Sequence, residues 1–326
     1  MNIRIAPELK SEVRDIEPNL IHNRYDLLFG DNWEMVEIET NDTRIYVPVH
    51  IENGLGRVGL YLRDIGADVL RELNKFLFKN YDSLVQIFFL HTYTVIDDIE
   101  PAVHWHIDLP GTIEEFDSTL SHRVRYNSKW YPKKIIREVG EYIIDKIKPE
   151  QCTARIMQTY LDWKKQSHNF KWNREPLEYL KTFGVSDIFV MHVRDEILAI
   201  GFVCDTGGEE AFFENFAYNL KYRLYSPGIV LYHAIIADLI GLGKKRFCLL
   251  GGNLEYKRNY NGIATMTYTG LVYRDPKFIK LINTAAPKIK RIPISNCGRR
   301  RIAVIYSWLH GFPKFYKHML KNEVRK

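Results

Sequence analysis

The chain has little cysteine: four in 326 residues, Cys152, Cys204, Cys248 and Cys297, far apart and forming no CxxC pair. That scarcity argues against a disulfide framework and a structural zinc site, and fits a reducing compartment. No stretch approaches the ~18 uninterrupted apolar residues of a membrane span, and the first residues, MNIRIAPELKSEVRDIEP, carry acids where a signal peptide has its apolar core. A cytoplasmic protein is expected. No G-x-S-x-G elbow marks a hydrolase nucleophile, and Gly241 and Gly243 follow a helical pattern instead of opening one, unlike a dinucleotide-binding fingerprint.

What is present is the make-up of a globular protein, 46% hydrophobic and 26% charged, long enough for about two domains. The net charge of +6 is unevenly spread: residues 288–326 hold eleven Lys or Arg and one acid, Glu323, which leaves 35 cations against 39 acids in residues 1–287. A mildly acidic body does not imply a nucleic-acid-binding surface, which needs positive charge gathered on one face. The basic tail also holds Trp308, Phe312, Phe315 and Tyr316, so it can rest on an anionic membrane surface or dock on the body with its cations solvated.

Periodicity predicts a hairpin over Trp33–Ile51 around Asn41-Asp42, a short strand at 57–61, a helix over 64–80, and strands at 84–91 and 102–109 before the stop at Pro110-Gly111. The basic, aromatic stretch Ser121–Arg137 leads into a helical segment ending before Pro149 and reads as a bridge. Beyond it the pattern predicts helices at 154–168 and 175–183 and a hairpin of 186–193 with 197–205. A strand at 210–218, a helix at 229–240, a buried strand at 245–250, a short helix near 255–260 and a last strand at 264–273 follow. The two halves share this grammar without a visible residue repeat. His104 and His106 fall on one strand face with Asp108, but nothing completes a metal site, and none is expected.

The junction from the 210–218 strand to the helix at Gly228 is the most informative. A loop holding Lys221 and Arg223 that feeds a helix N-terminus offers backbone N–H groups, a positive dipole end and two cations to an anion such as pyrophosphate. Pro227 suits the first turn and Gly228 permits close approach to the backbone. A well-capped helix start reads the same way. Glu214 stands mid-strand among aromatics (FFENF), where a dry carboxylate has a raised pKa and can take a proton from an ammonium; it can equally face solvent or pair with a lysine.

The pieces R-Y-N (Arg125–Asn127), EAFFENFAYN, Y-S-P-G (Tyr225–Gly228) and FCLLGGNLEYK (Phe247–Lys257) together resemble the cellulose-biosynthesis-type acyltransferases of the GNAT superfamily, over about residues 121–273. The chain also resembles the Fem-type transferases, in which two GNAT-like units are joined. The resemblance implies an α/β (mixed α+β) fold of tandem GNAT-like units. Each would hold a mixed, mostly antiparallel sheet flanked by helices, with splayed central strands in the C-terminal unit. The expected division is a degenerate unit at 1–150, an acyltransferase unit at 151–287 and a basic tail at 288–326.

By that likeness Arg223, Ser226, Gly228 and Ile229 would hold the pyrophosphate of acetyl-CoA, with Lys257 at a phosphate. Glu214 would be the base, and Tyr256, near the sulfur, would protonate the leaving thiolate. Arg-Leu-Tyr-Ser-Pro-Gly stands where the superfamily loop carries one more glycine, and Cys248 stands where relatives tend to have Asp. Arg125, Tyr126 and Asn127 would bind the acceptor, a primary amine such as a nucleotide-linked or envelope amino sugar, or else form a basic bridge that pairs with the acidic body. The alternatives are an aminoacyl-tRNA donor, as in Fem enzymes, and a non-catalytic scaffold; no metal is implied.

Overall fold

Short alternating runs separated by tight turns build the first sheet. Asn2–Ile5 (β1) pairs antiparallel with Glu34–Glu39 (β2), and β2 with Arg44–Glu52 (β3), the expected hairpin. Arg44–Glu52 then turns at Asn53-Gly54, both with positive φ (53° and 79°), into Leu55–Val58 (β4). Two left-handed residues in a two-residue loop match the twist of antiparallel strands, so this Asn-Gly pair sets the strand two residues ahead of its expected start. The helix Ala67–Asn80 (α1) carries the chain to Gln86–Thr92 (β5), which runs parallel to β4. Leu70, Leu73 and Leu77, at helical spacing, bury one face of α1 on Val36, Val47 and Phe89.

This computed structural model describes residues 1–10, 29–41, 43–60, 63–97, 99, 101–168, 172, 175–205, 207–252 and 254–275. The tail at 288–326, Cys297 and Asn253 lie outside them. The described chain divides into two compact units, residues 1–10, 32–102 and 267–275, and residues 29–31 and 103–266.

In the second unit the strands Pro101–Asp108 (β6), Ile143–Ile147 (β7), Asp187–Val193 (β8), Glu196–Asp205 (β9), Glu210–Tyr218 (β10) and Arg246–Gly251 (β11) stand in the order β6-β11-β10-β9-β8-β7. Every neighbouring pair is antiparallel except β10 with β11. Helices cover both faces. On one lie Ile113–Thr119 (α2), His122–Glu138 (α3) and Pro227–Gly241 (α6), whose Phe116, Leu120, Val124, Ile135, Leu231 and Ile235 share a core. On the other lie Ala154–His168 (α4) and Glu178–Thr182 (α5), with Met157, Tyr160 and Tyr179 against Phe202. The segment read as a bridge is therefore part of this unit, since α2 and α3 supply its core.

Two expectations along the chain change. Residues 143–147 form an edge strand and not the end of a helix, because Gly140 (φ 138°) stops α3 and Ile144 and Ile147 then turn toward β8. The 219–226 loop holds a 3-10 turn, Leu220–Tyr225. Glu255–Asn259 (α7) leads to Ile263–Tyr273 (β12), whose Tyr268–Tyr273 pair with β5. Among the described residues no helix is long and apolar enough to cross a membrane, no cluster of His, Cys, Asp and Glu could hold a metal ion, and Cys152, Cys204 and Cys248 are buried.

Gly262 closes the turn after α7: its N–H donates to the Lys257 carbonyl at 2.7 Å, and a Cβ there would lie 2.5 Å from that oxygen. Gly262→Ala is expected to lower the unfolding free energy by about 2 kcal/mol, because backbone cannot give way cheaply; urea titration of the two proteins measures it.

Candidate active site

β10 and β11 start side by side and then part. They pair at Glu210 with Arg246, Ala211 with Phe247 and Phe212 with Cys248; beyond these three, no pairing between them occurs among the described residues, though β10 runs on to Tyr218 and β11 to Gly251. The zipped end is clamped by Arg246, 3.0 Å from Glu210. Where the strands open, each carries a bulge. In β10 it falls at Glu214, between the pairs Phe213–Val203 and Asn215–Phe202. In β11 it falls between Cys248 and Leu250, and Leu250 takes φ 59°.

A bulge inserts one residue and resets which face the following side chains take. Phe213 and Phe216 thus stack at 5.5 Å on the α6 face, while Asn215 and Ala217 turn to the α4 and α5 face. Glu214 and Asn215 line a cavity of about 390 Å³ with Lys164, Leu249–Gly251, Leu254, Tyr256 and Lys257. Phe216, Tyr218 and Tyr256 also border a second cavity of about 130 Å³, closed by Arg223, Ser226, Gly228, Ile229, Tyr232 and Tyr260.

The larger cavity carries the ionisable chemistry. One carboxylate oxygen of Glu214, Oε1, is buried. Nearby, the Tyr160 and Tyr179 hydroxyls bond each other at 2.9 Å, and Asn215 Nδ2 donates to Tyr179 at 3.4 Å. Burial pushes both phenols up, Tyr179 to about 12, and the Glu214 charge adds to the rise. Asn215 Oδ1 accepts from Lys164 Nζ at 2.9 Å and from the Phe216 N–H at 2.9 Å; burial lowers the Lys164 pKa. Tyr256, on α7, packs edge-on against Tyr232 at 5.2 Å and Phe216 at 5.7 Å, and burial raises its phenol above the usual range, so it keeps its proton.

Residues 124–258 match the family described as acetyltransferase (GNAT) domain. Over these residues the chain is similar to a GNAT acyltransferase domain. The presence of that domain supports acyltransferase activity. No curated protein matches the chain significantly. Among solved structures, FemX is similar at TM-score 0.59 and 8% identity, covering 86% of this chain and 100% of its own. A C-terminal DUF2156 domain of a protein described as a lysylphosphatidylglycerol synthetase of Agrobacterium fabrum is similar at TM-score 0.52 and 11% identity, over 86% and 96%. At such identities these likenesses show the fold alone, a mixed α/β one with mixed sheet flanked by helices.

Within this segment the expected site residues fall into four groups. Glu214 and Tyr256 share the larger cavity, and Arg223, Ser226, Gly228 and Ile229 share the smaller one with Tyr256. The amide cradle is thinner than expected. The 3-10 turn runs directly into α6 through Ser226 (φ 47°), so the Ser226 N–H bonds the Arg223 carbonyl at 3.2 Å and the Ile229 N–H bonds the Ser226 carbonyl at 2.9 Å. With proline at 227, this leaves Gly228 as the open amide. A Cβ on Gly228 would lie 2.9 Å from the Phe216 ring and 3.1 Å from Tyr218, so here glycine admits the protein's own aromatics. Of the two loop cations, Lys221 is paired with Glu196 at 3.0 Å and Arg223 is exposed at the cavity.

Two groups depart from expectation. Lys257, placed at a phosphate by sequence, is 1% exposed and donates to the carbonyls of Leu249 (2.7 Å), Leu250 (3.2 Å) and Gly251 (2.5 Å). It ties down the β11 bulge; burial brings its pKa to about 8, while three carbonyl partners call for all three ammonium donors. Arg125, Tyr126 and Asn127 lie on α3, where successive residues point about 100° apart, and line neither cavity. Tyr126 instead stacks on Trp130, and Lys134 of α3 reaches the Leu224 carbonyl of the loop at 3.4 Å between the Trp130 and Tyr225 rings. Sequence reasoning passed over Lys164, Asn215 and Tyr232; the broken two-residue spacing of Phe213 and Phe216 is the signal that exposes the bulge, and with it Asn215.

Lys257→Met is expected to lower the unfolding free energy by about 3 kcal/mol, since three buried carbonyls lose their donor. Denaturant titration reads the loss; an unchanged midpoint would return Lys257 to a ligand-binding role.

Proposed function

We propose that this protein is an N-acyltransferase that moves an acyl group, acetyl in the first instance, from acyl-CoA to a primary amine, with an amino sugar as the acceptor class. The observation that carries the reading is the parting of β10 and β11 after Phe212 and Cys248, with a cavity on either side and Tyr256 bordering both. The smaller, aromatic cavity suits an acyl chain or a segment of pantetheine, with the phosphates outside it at Arg223. The larger cavity suits the amine. The two-unit plan belongs to the same proposal: β2, β3, β4, α1 and β5 have the order of a reduced GNAT-like unit at the N-terminal side.

In this scheme the acceptor enters as an ammonium and gives a proton to Glu214, directly or through water. The freed amine attacks the thioester carbonyl, the C–N bond forms, and the C–S bond breaks. Tyr256, protonated at neutral pH, gives its proton to the departing thiolate as it takes up, directly or through water, the second proton that the new amide nitrogen sheds, so the phenol is restored. Most of the rate comes from holding amine and thioester together at the gap, because an amine attacks a thioester without covalent help from the protein.

Glu214→Gln is expected to reduce turnover about 100-fold near neutral pH while acetyl-CoA affinity stays within about twofold. Steady-state kinetics beside isothermal titration checks this, and equal turnover removes Glu214 as the base. Arg223→Ala should weaken CoA binding while sparing pantetheine, which has no phosphates; equal weakening of both would make Arg223 structural. A requirement for RNA, with binding that collapses as salt rises, would replace acyl-CoA by an aminoacyl-tRNA donor.

A further inference from the structure

The acyl-transfer scheme leaves one charged group of the larger cavity without a task. Lys164, on α4, is 8% exposed and lines that cavity, and among the described residues its ammonium has one partner, the neutral amide oxygen of Asn215. Among the described residues no carboxylate pairs with it or offsets its burial. The other buried lysines of the chain show how this fold treats a structural ammonium. Lys244 meets the Asp205 carboxylate at 2.5 Å and the Gly208 carbonyl at 2.7 Å, and Lys257 meets three carbonyls. Burying a cation without a counter-charge costs several kcal/mol, and two of the three Lys164 donors are left for whatever fills the cavity.

Asn215 fixes where that counter-charge belongs. Its side chain is held by the Phe216 N–H and by Lys164, and its backbone neighbour is Glu214, so a cation and a carboxylate flank one short stretch of the β10 bulge. We infer that the acceptor is an amine that also carries an anionic group, a carboxylate or a phosphate, bound by Lys164 while the amine is presented to Glu214. The inference rests on the acyl-transfer reading of this cavity and narrows it: a neutral amino sugar leaves Lys164 unanswered. Carboxylate and phosphate offer the same paired oxygens to an ammonium, and the test separates them.

The test uses the full chain, acetyl-CoA and three amines of one skeleton: glucosamine, glucosamine 6-phosphate and muramic acid, with thiol release as the readout. The wild type is expected to use the phosphate or the carboxylate amine at least tenfold more efficiently than glucosamine, and the better of the two names the anion. Lys164→Met is expected to abolish that preference through KM, with little change in kcat. It should also melt no lower than the wild type, because a buried unpaired charge is removed, and inorganic phosphate or acetate should raise the melting temperature of the wild type only. Equal use of all three amines, a preference that survives Lys164→Met, or no stabilisation by any anion overturns the inference. Titration of acetyl-CoA into the same proteins keeps the two readings apart: absent binding sinks acyl transfer itself, whereas binding without discrimination among amines sinks only the role given to Lys164.

Discussion

Opening a sheet between adjacent strands strands the backbone groups that the ladder would have paired, and everything at this site follows from how that cost is met. β10 and β11 share three residue pairs and then separate, leaving N–H and C=O groups without ladder partners across the gap. Side chains take over. Lys257 gathers three carbonyls of the β11 bulge, and Asn215 accepts the Phe216 N–H on the β10 side. The gap is thus held open by hydrogen bonds from both lips.

The same bulges sort the chemistry by face. With one residue inserted at Glu214, the aromatics Phe213, Phe216 and Tyr218 pack toward α6, whereas Asn215 turns to α4 and shares a cavity with Glu214 and Lys164. An uninterrupted strand would have put Phe213 and Asn215 on one face and mixed the two environments. The outcome is an aromatic side near Arg223 and a charged side near Lys164, with Phe216, Tyr218 and Tyr256 as the wall between them. A reaction that joins an acyl group to an amine needs that separation, since the thioester is best kept from water and the ammonium must reach a base.

The elements with strong local signals were legible in the sequence. The hairpin around Arg194-Asp195-Glu196, the strand at 210–218, the S-P-G start of α6 and the short helix after Gly252 all stand where period and turn chemistry place them. Glu214 and Arg223 could be singled out as a carboxylate among aromatics and a cation in a loop that feeds a helix, and Tyr256 by the family resemblance. What stayed hidden depends on contacts between distant segments. Arg125, Tyr126 and Asn127 read as a cluster in one dimension, and a helix disperses them. Gly228 read as room for a ligand, yet the room is taken by rings ten and twelve residues upstream. Lys257 read as a phosphate ligand because no local pattern reveals that its ammonium reaches back to Leu249.

Lys164 is the extreme case, since a lone lysine in an amphipathic helix is ordinary surface material. Only the fold shows that α4 turns it inward, and only comparison with Lys244 and Lys257 shows that its surroundings are unfinished. A fold that supplies a carboxylate to one buried ammonium and three carbonyls to another has the means to satisfy a third. Supplying a single amide oxygen beside an open cavity places the missing charge on the molecule that enters, so that the acceptor's anion and the lysine neutralise each other at the moment the amine is brought to Glu214. Selectivity and positioning then come from one contact, made a single residue away from the proposed base.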